Sequence, residues 1–156
     1  MEYEIKLSKE DPDVFADEGI YRSLVGSLMY LTNTRPDITY DVTKINRYME
    51  YPKKTHWEAG KRILRYIKGT LDQGVIYSKG GQGKLVGFSD SDYAGNVDDN
   101  KSTSGYMFQL GSSPISWQSK KQKVVALSST EAEYMALSLA GCQEIWIKGI
   151  LDECWD

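Results

Sequence analysis

Asp90 and Glu133 are the residues of this chain best placed to do chemistry. Asp90 closes an alternating stretch, Val86, Phe88, Asp90, in which every second side chain shares one strand face. Glu133 falls one turn into a helix start. Ser128 is a good N-cap, Glu131 is its capping-box partner three residues on, and an apolar run follows. An acid at the end of a buried strand, facing an acid in the first turns of a packed helix, gathers carboxylates for a divalent metal. Asp92 is a candidate substitute ligand, against the plainer reading of a loop residue capping the strand end. Ser128, Ser129 and Cys142 match no nucleophile pattern with a base nearby.

The elements that position these acids can be read from periodicity. Tyr21, Leu24, Val25, Leu28 and Leu31 form one apolar stripe of a helix from about Asp17 to Thr32. Pro36 opens a second helix with Ile38, Val42, Ile45 and Met49 inward, and Tyr51-Pro52 ends it. Thr55 is expected to cap a third, running from His56 to about Lys68, with Ile63, Leu64 and Ile67 buried and Gly69 as its stop. That third helix carries Lys61, Arg62, Arg65 and Lys68, either a nucleic-acid contact or a solvated basic face. His56, the single histidine, reads as structural. Strands are expected at Gly74–Tyr77, Lys84–Asp90, Ser104–Leu110 and Pro114–Gln118, with a short continuation at Val124–Leu127. A long helix from Ser129 to about Cys154 follows, its stripe traced by Met135, Leu139, Cys142, Trp146 and Ile150 and widened by Ile145, Ile147 and Leu151. The fold class is therefore α+β: a helical segment, a three-stranded antiparallel meander, then a long helix.

Composition sets bounds on what remains. The chain has 156 residues, 40% of them hydrophobic and 26% charged, ordinary for a globular domain with a core of its own. No apolar run has membrane-spanning length and no N-terminal stretch resembles a signal peptide. Cys142 and Cys154 are too far apart on one helix to pair with each other. Reduced thiols suit a cytoplasmic or nuclear compartment. A net charge of −3 does not advertise nucleic-acid binding, although charge can be segregated locally. The acidic stretch before residue 17 reads as an extended, solvated arm with E-Y-E-I-K-L as a short strand.

The blocks G-F-S-D-S-D-Y-A-G, K-S-T-S-G-Y, I-S-W-Q-S-K-K-Q and S-S-T-E-A-E-Y-M-A-L occur in this order from Gly87 onward. Together they closely resemble the ribonuclease H domain of copia-class retrotransposon polyproteins. Upstream, Y-R-S-L-V-G-S-L-M-Y-L-T-N-T-R-P-D-I and H-W-E-A-G-K-R-I-L-R-Y-I-K-G-T resemble the segment that joins reverse transcriptase to that domain. The resemblance covers about Tyr21 to the C-terminus and, with the acidic arm over 1–16 read from composition, divides the chain into that arm, a helical connection segment over 17–72 and a truncated ribonuclease H-like domain over 73–156. It implies Asp90 and Glu133 as ligands of Mg²⁺ or Mn²⁺. The family's third carboxylate sits on a later strand in a C-D-N-Q-like motif, which this sequence does not reach before Asp156. The resemblance also implies a missing neighbour for the first strand. The edge of Lys84–Asp90, beside Val86 and Phe88, is then open to a partner strand. E-Y-E-I-K-L or Gly74–Tyr77 could close it within the chain, and a second copy or another protein could close it from outside.

The resulting expectation is a retrotransposon-derived, domesticated and catalytically dead ribonuclease H-like protein that acts through protein contacts or self-association. The alternatives are metal-dependent hydrolysis of RNA in RNA–DNA hybrids, and a nucleic-acid-binding module built on the basic helix.

Overall fold

The computed structural model describes residues 7–13, 17–77 and 83–155. They fall into two compact units, one comprising Met1–Val75 with Asn96–Asp99, the other Ile76–Gly95 with Asn100–Asp156.

The first unit is helical. Helix α1 spans Glu18–Leu31, and the Asp17 carboxylate caps it by accepting the Ile20 N–H. A 3₁₀ turn at Pro36–Ile38 leads into α2, Thr39–Asn46, and α3 spans Lys54–Gly69. Tyr21, Val25, Leu28, Ile38, Val42, Ile45 and Ile63 form the buried core, as the spacing of the stripes requires. Two expectations are corrected. Leu64 is 43% exposed, because the inward face of α3 runs through His56, Gly60 and Ile63 instead. Thr55 is not the cap of α3: its N-terminus is closed by His56, whose Nδ1 accepts the Lys53 N–H at 3.0 Å.

His56 organises more than that cap. It is fully buried and stacks on Tyr48 with ring centroids 3.8 Å apart. Because Nδ1 is an acceptor, Nε2 carries the proton and donates to the Ser8 carbonyl at 3.1 Å. The Tyr48 hydroxyl donates to the Leu7 carbonyl at 2.9 Å, and Asp98 accepts the Ser8 hydroxyl and the Lys9 N–H. Leu7 is itself in the core, so residues 7–13 are tied down and not the solvated arm the acidic composition suggests. The E-Y-E-I-K-L strand expected before them lies outside the described residues.

The second unit is a meander under a helix. Strands β1 (Leu85–Ser91), β2 (Thr103–Leu110) and β3 (Ser113–Lys121) are antiparallel in the order β1-β2-β3. Gly111, at φ 63°, supplies the left-handed residue of the tight β2–β3 turn. Helix α4 spans Ser129–Trp155, with the Ser128 hydroxyl accepting the Glu131 N–H at 3.1 Å. Residues 74–77 and 124–127 form no strand, so neither expected extra strand exists.

Alternation along β1 places its two faces. Gly87 lies opposite Phe108, and a Cβ there would run into the Phe108 ring. Phe108 packs with Ala140, Ile147, Leu85 and Leu151. Odd-numbered residues of β1 therefore face α4, while Val86, Phe88 and Asp90 occupy the opposite face. The expected buried strand is corrected accordingly: Phe88 is 52% exposed and Asp90 is exposed. Helix α4 shows a matching correction. Its contact stripe is Ala132, Ala136, Ala140 and Ile147, whereas Trp146 and Ile150 of the expected stripe are exposed, as is Cys142. Small residues let the helix backbone approach the sheet closely, and the bulky residues are turned outward.

Burial holds the His56 imidazole below its ordinary pKa, outweighing the opposing pull of the Ser8 carbonyl, Asp11 and Asp98. Below about pH 6.5 the unfolded chain binds a proton that the folded chain resists, so stability is lost as pH falls from that value toward the folded pKa. The thermal midpoint is expected to drop between about pH 7 and pH 5, with a flatter slope in His56→Gln. The absence of any other histidine makes the slope assignable.

Candidate functional site

Asp90 is the penultimate residue of β1 and lies opposite Gly105 of β2. Glu133 lies in the second turn of α4, one residue past fully buried Ala132. Both carboxylates are exposed. What joins their surroundings is a buried amide. Gln122, just beyond β3, directs Nε2 to Ser91 Oγ at 3.2 Å, to Ser104 Oγ at 2.9 Å and to the Ala132 carbonyl at 3.0 Å. The residue after Asp90 and the residue before Glu133 are thus fastened to one side chain. Its Oε1 has no hydrogen-bond partner. A flipped amide would set that oxygen against the Ala132 carbonyl, so the carbonyl fixes the orientation.

Asp92 has other work in this geometry. Its Oδ1 accepts the Thr103 N–H, and a Cβ at Gly95 would strike its carboxylate. The Asp92 backbone N–H donates to the Thr103 carbonyl at 3.1 Å, so the residue ties the end of β1 to the start of β2 twice over. Glu131 is engaged as well, its carboxylate accepting the Leu127 N–H at 2.6 Å. Among the described residues no group of three or more His, Cys, Asp or Glu could hold a metal ion. Two exposed carboxylates can meet a hydrated Mg²⁺ but do not fit a two-metal clamp, which needs several to converge.

The basic residues expected on α3 are placed within the first unit. Arg62, Arg65 and Lys68 are exposed, and Lys61 pairs with Glu58 at 2.5 Å, which together with Arg65 and Lys54 holds that carboxyl below its usual range. On the same unit Arg35 is buried in a bidentate pair with Asp37 and donates to the Thr70 carbonyl. Arg35 thereby fastens the end of α3 to the 3₁₀ turn.

The chain is 47% identical over 148 residues to a retrovirus-related Pol polyprotein from transposon RE2 of Arabidopsis thaliana, a match covering 95% of this chain. It is 49% identical to the one from transposon TNT 1-94 of Nicotiana tabacum, over 96% of this chain. The chain belongs to the copia-type retrovirus-related Pol polyproteins. It spans about a tenth of their length, 10% and 12% respectively. It is also 49% identical over 128 residues to secreted RxLR effector protein 161 of Plasmopara viticola, covering 81% of this chain and 90% of that protein. No family model matches the sequence, and no solved structure matches it.

Within this copia-type chain the acids were legible in the sequence and the amide that joins them was not. Gln122 closes the block I-S-W-Q-S-K-K-Q, where an amide beside lysines carries no periodic signal. Ser91 and Ser104 gave none either. Their shared signal is weak: two hydroxyl residues at adjacent strand ends that must both find partners if buried.

Replacing Gln122 by Leu leaves the Ala132 carbonyl and the Ser104 hydroxyl without this donor. A loss of about 2–4 kcal/mol is expected in urea denaturation. Gln122→Met, of similar shape, is expected to lose a similar amount, since the missing quantity is the hydrogen bonds.

Proposed function

We propose that this transposon-derived chain acts through protein contacts and is not a self-sufficient hydrolase. The observation that carries the reading is the edge of β1. Among the described residues β2 is its one neighbour, and Gly87 to Asp90 are exposed in succession with half-exposed Phe88 among them. Such an edge offers a row of backbone groups with an apolar side chain alongside, the surface to which another strand adds. Asp90 and Glu133 supply part of a carboxylate set, and Asp92 is committed to the Thr103 N–H.

Hydrolysis of RNA in an RNA–DNA hybrid is the second reading. The Gln122 tie favours it, since the tie fixes the backbone beside both acids. It requires further ligands to converge on Asp90 and Glu133. Duplex binding is a third. Arg62, Arg65 and Lys68 stand exposed along α3 and would act through phosphate contacts.

One experiment separates the three. The purified chain is incubated with a labelled RNA–DNA hybrid in Mg²⁺ and then Mn²⁺, beside Asp90→Asn. Cleavage no greater than in Asp90→Asn is the expected result. Cleavage abolished by that substitution would overturn the reading in favour of hydrolysis. Salt-sensitive retention of the hybrid, lost in Arg65→Glu with Lys68→Glu, would favour the third.

A further inference from the structure

We infer that residues 7–13 form a strap across the start of α3, latched by His56, and that the strap opens as a unit when the imidazole takes up a proton. Every group involved belongs to the first unit, so this device is separate from the protein-contact reading of β1 above.

The strap has no ladder of its own. Residues 7–13 lie in neither helix nor strand, and Leu7 is the one side chain among them in the core. Separate ties hold them. The Tyr48 hydroxyl donates to the Leu7 carbonyl at 2.9 Å, and His56 Nε2 donates to the Ser8 carbonyl at 3.1 Å. Asp98 accepts the Ser8 hydroxyl at 2.8 Å and the Lys9 N–H at 2.9 Å. At the far end the Lys54 N–H donates to the Asp13 carbonyl at 3.0 Å. Releasing these ties exposes little apolar surface, so opening does not require the helices to unfold.

Two of the ties depend on the protonation state of one ring. His56 Nδ1 accepts the Lys53 N–H at 3.0 Å, which only an unprotonated nitrogen can do. A proton there sets two donors face to face. The ring has no room to turn in place, because it is fully buried and stacked on Tyr48 with centroids 3.8 Å apart. It must leave. Its exit breaks the Ser8 tie and removes the support of the Tyr48 ring, whose hydroxyl holds Leu7. The charges around the imidazole come from three directions. Lys53 at the start of α3 opposes a second positive charge, whereas Asp11 on the strap and Asp98 favour it, and burial outweighs both acids. Lys9 lies beside Asp98 and offsets part of its pull. Aspartates ordinarily titrate near about pH 4, and the Tyr48 hydroxyl is pushed up to about 12, so His56 alone changes charge between them.

The test is amide hydrogen exchange of the full chain by NMR at about pH 7 and about pH 5, without urea and in urea below the unfolding transition. The Lys9, Lys53 and Lys54 amides report on the strap, and those of Val25 and Val42 on the helical core. Strap protection is expected to fall about tenfold between the two pH values, since an open strap lets His56 titrate near its ordinary value of about 6.5. That exchange should be insensitive to urea, while the core exchanges more slowly and accelerates with urea. His56→Gln should remove the pH dependence. Asp98→Asn should lower strap protection at both pH values and keep the pH dependence. Strap amides that follow the core in urea would overturn the inference. So would protection that ignores pH, or that keeps its pH dependence in His56→Gln. Should His56→Gln fail to fold, the nitrogen NMR shifts of the wild-type imidazole decide. The latch requires a proton on Nε2 alone at about pH 7, and a ring that titrates with no loss of strap protection contradicts it.

Discussion

Strict alternation along β1 couples its pairing with β2 to its packing under α4, and most features of the second unit follow from that constraint. Its even-numbered residues are hydrogen-bonded to β2, while its odd-numbered residues send side chains to α4 and backbone groups to the side away from β2. Period two couples these assignments rigidly. Leu85 and Gly87 can pack under α4 only if Val86, Phe88 and Asp90 face away from it. The acid at the strand end is therefore on the same face as the exposed apolar residues, and the serine beside it is on the helix side. Gln122 uses that serine to bind the strand end to the first turns of α4.

The first unit depends in a similar way on His56. Its neutral form is needed both to accept at the start of α3 and to donate to Ser8. Burial also pushes the Tyr48 hydroxyl up to about 12, with the nearby Asp98 carboxylate adding to the effect. Asp98 stays low although its own burial would raise it, because the Lys9 N–H and the Ser8 hydroxyl stabilise its charge. The network is polar throughout and satisfied, which is the condition under which buried polar groups add specificity instead of cost.

Much of this was legible in the residues. The stripes of α1 and α2 are strongly periodic, and Tyr21, Val25, Leu28, Ile38, Val42 and Ile45 are buried where their spacing puts them. The meander and the long helix followed from turn chemistry and the Ser128–Glu131 cap. The faces were harder to read. Both sides of β1 carry apolar residues, so alternation alone did not say whether Leu85 or Val86 turns inward. The seam of α4 is built from Ala132, Ala136 and Ala140, small residues that a search for bulky stripes passes over. Hydrogen bonding across elements, as at Gln122 and His56, leaves no periodic trace in a sequence. The copia-type resemblance pointed to the acids, but not to how the backbone beside them is held.

The most direct measurement of the coupling along β1 is amide hydrogen exchange, resolved residue by residue by NMR in dilute protein. In dilute solution Val86, Phe88 and Asp90 should be protected by β2, with Leu85, Gly87 and Ser89 exchanging freely. Protection of Leu85, Gly87 and Ser89 in dilute solution would mean that the edge is already closed within the chain. That result would contradict the account.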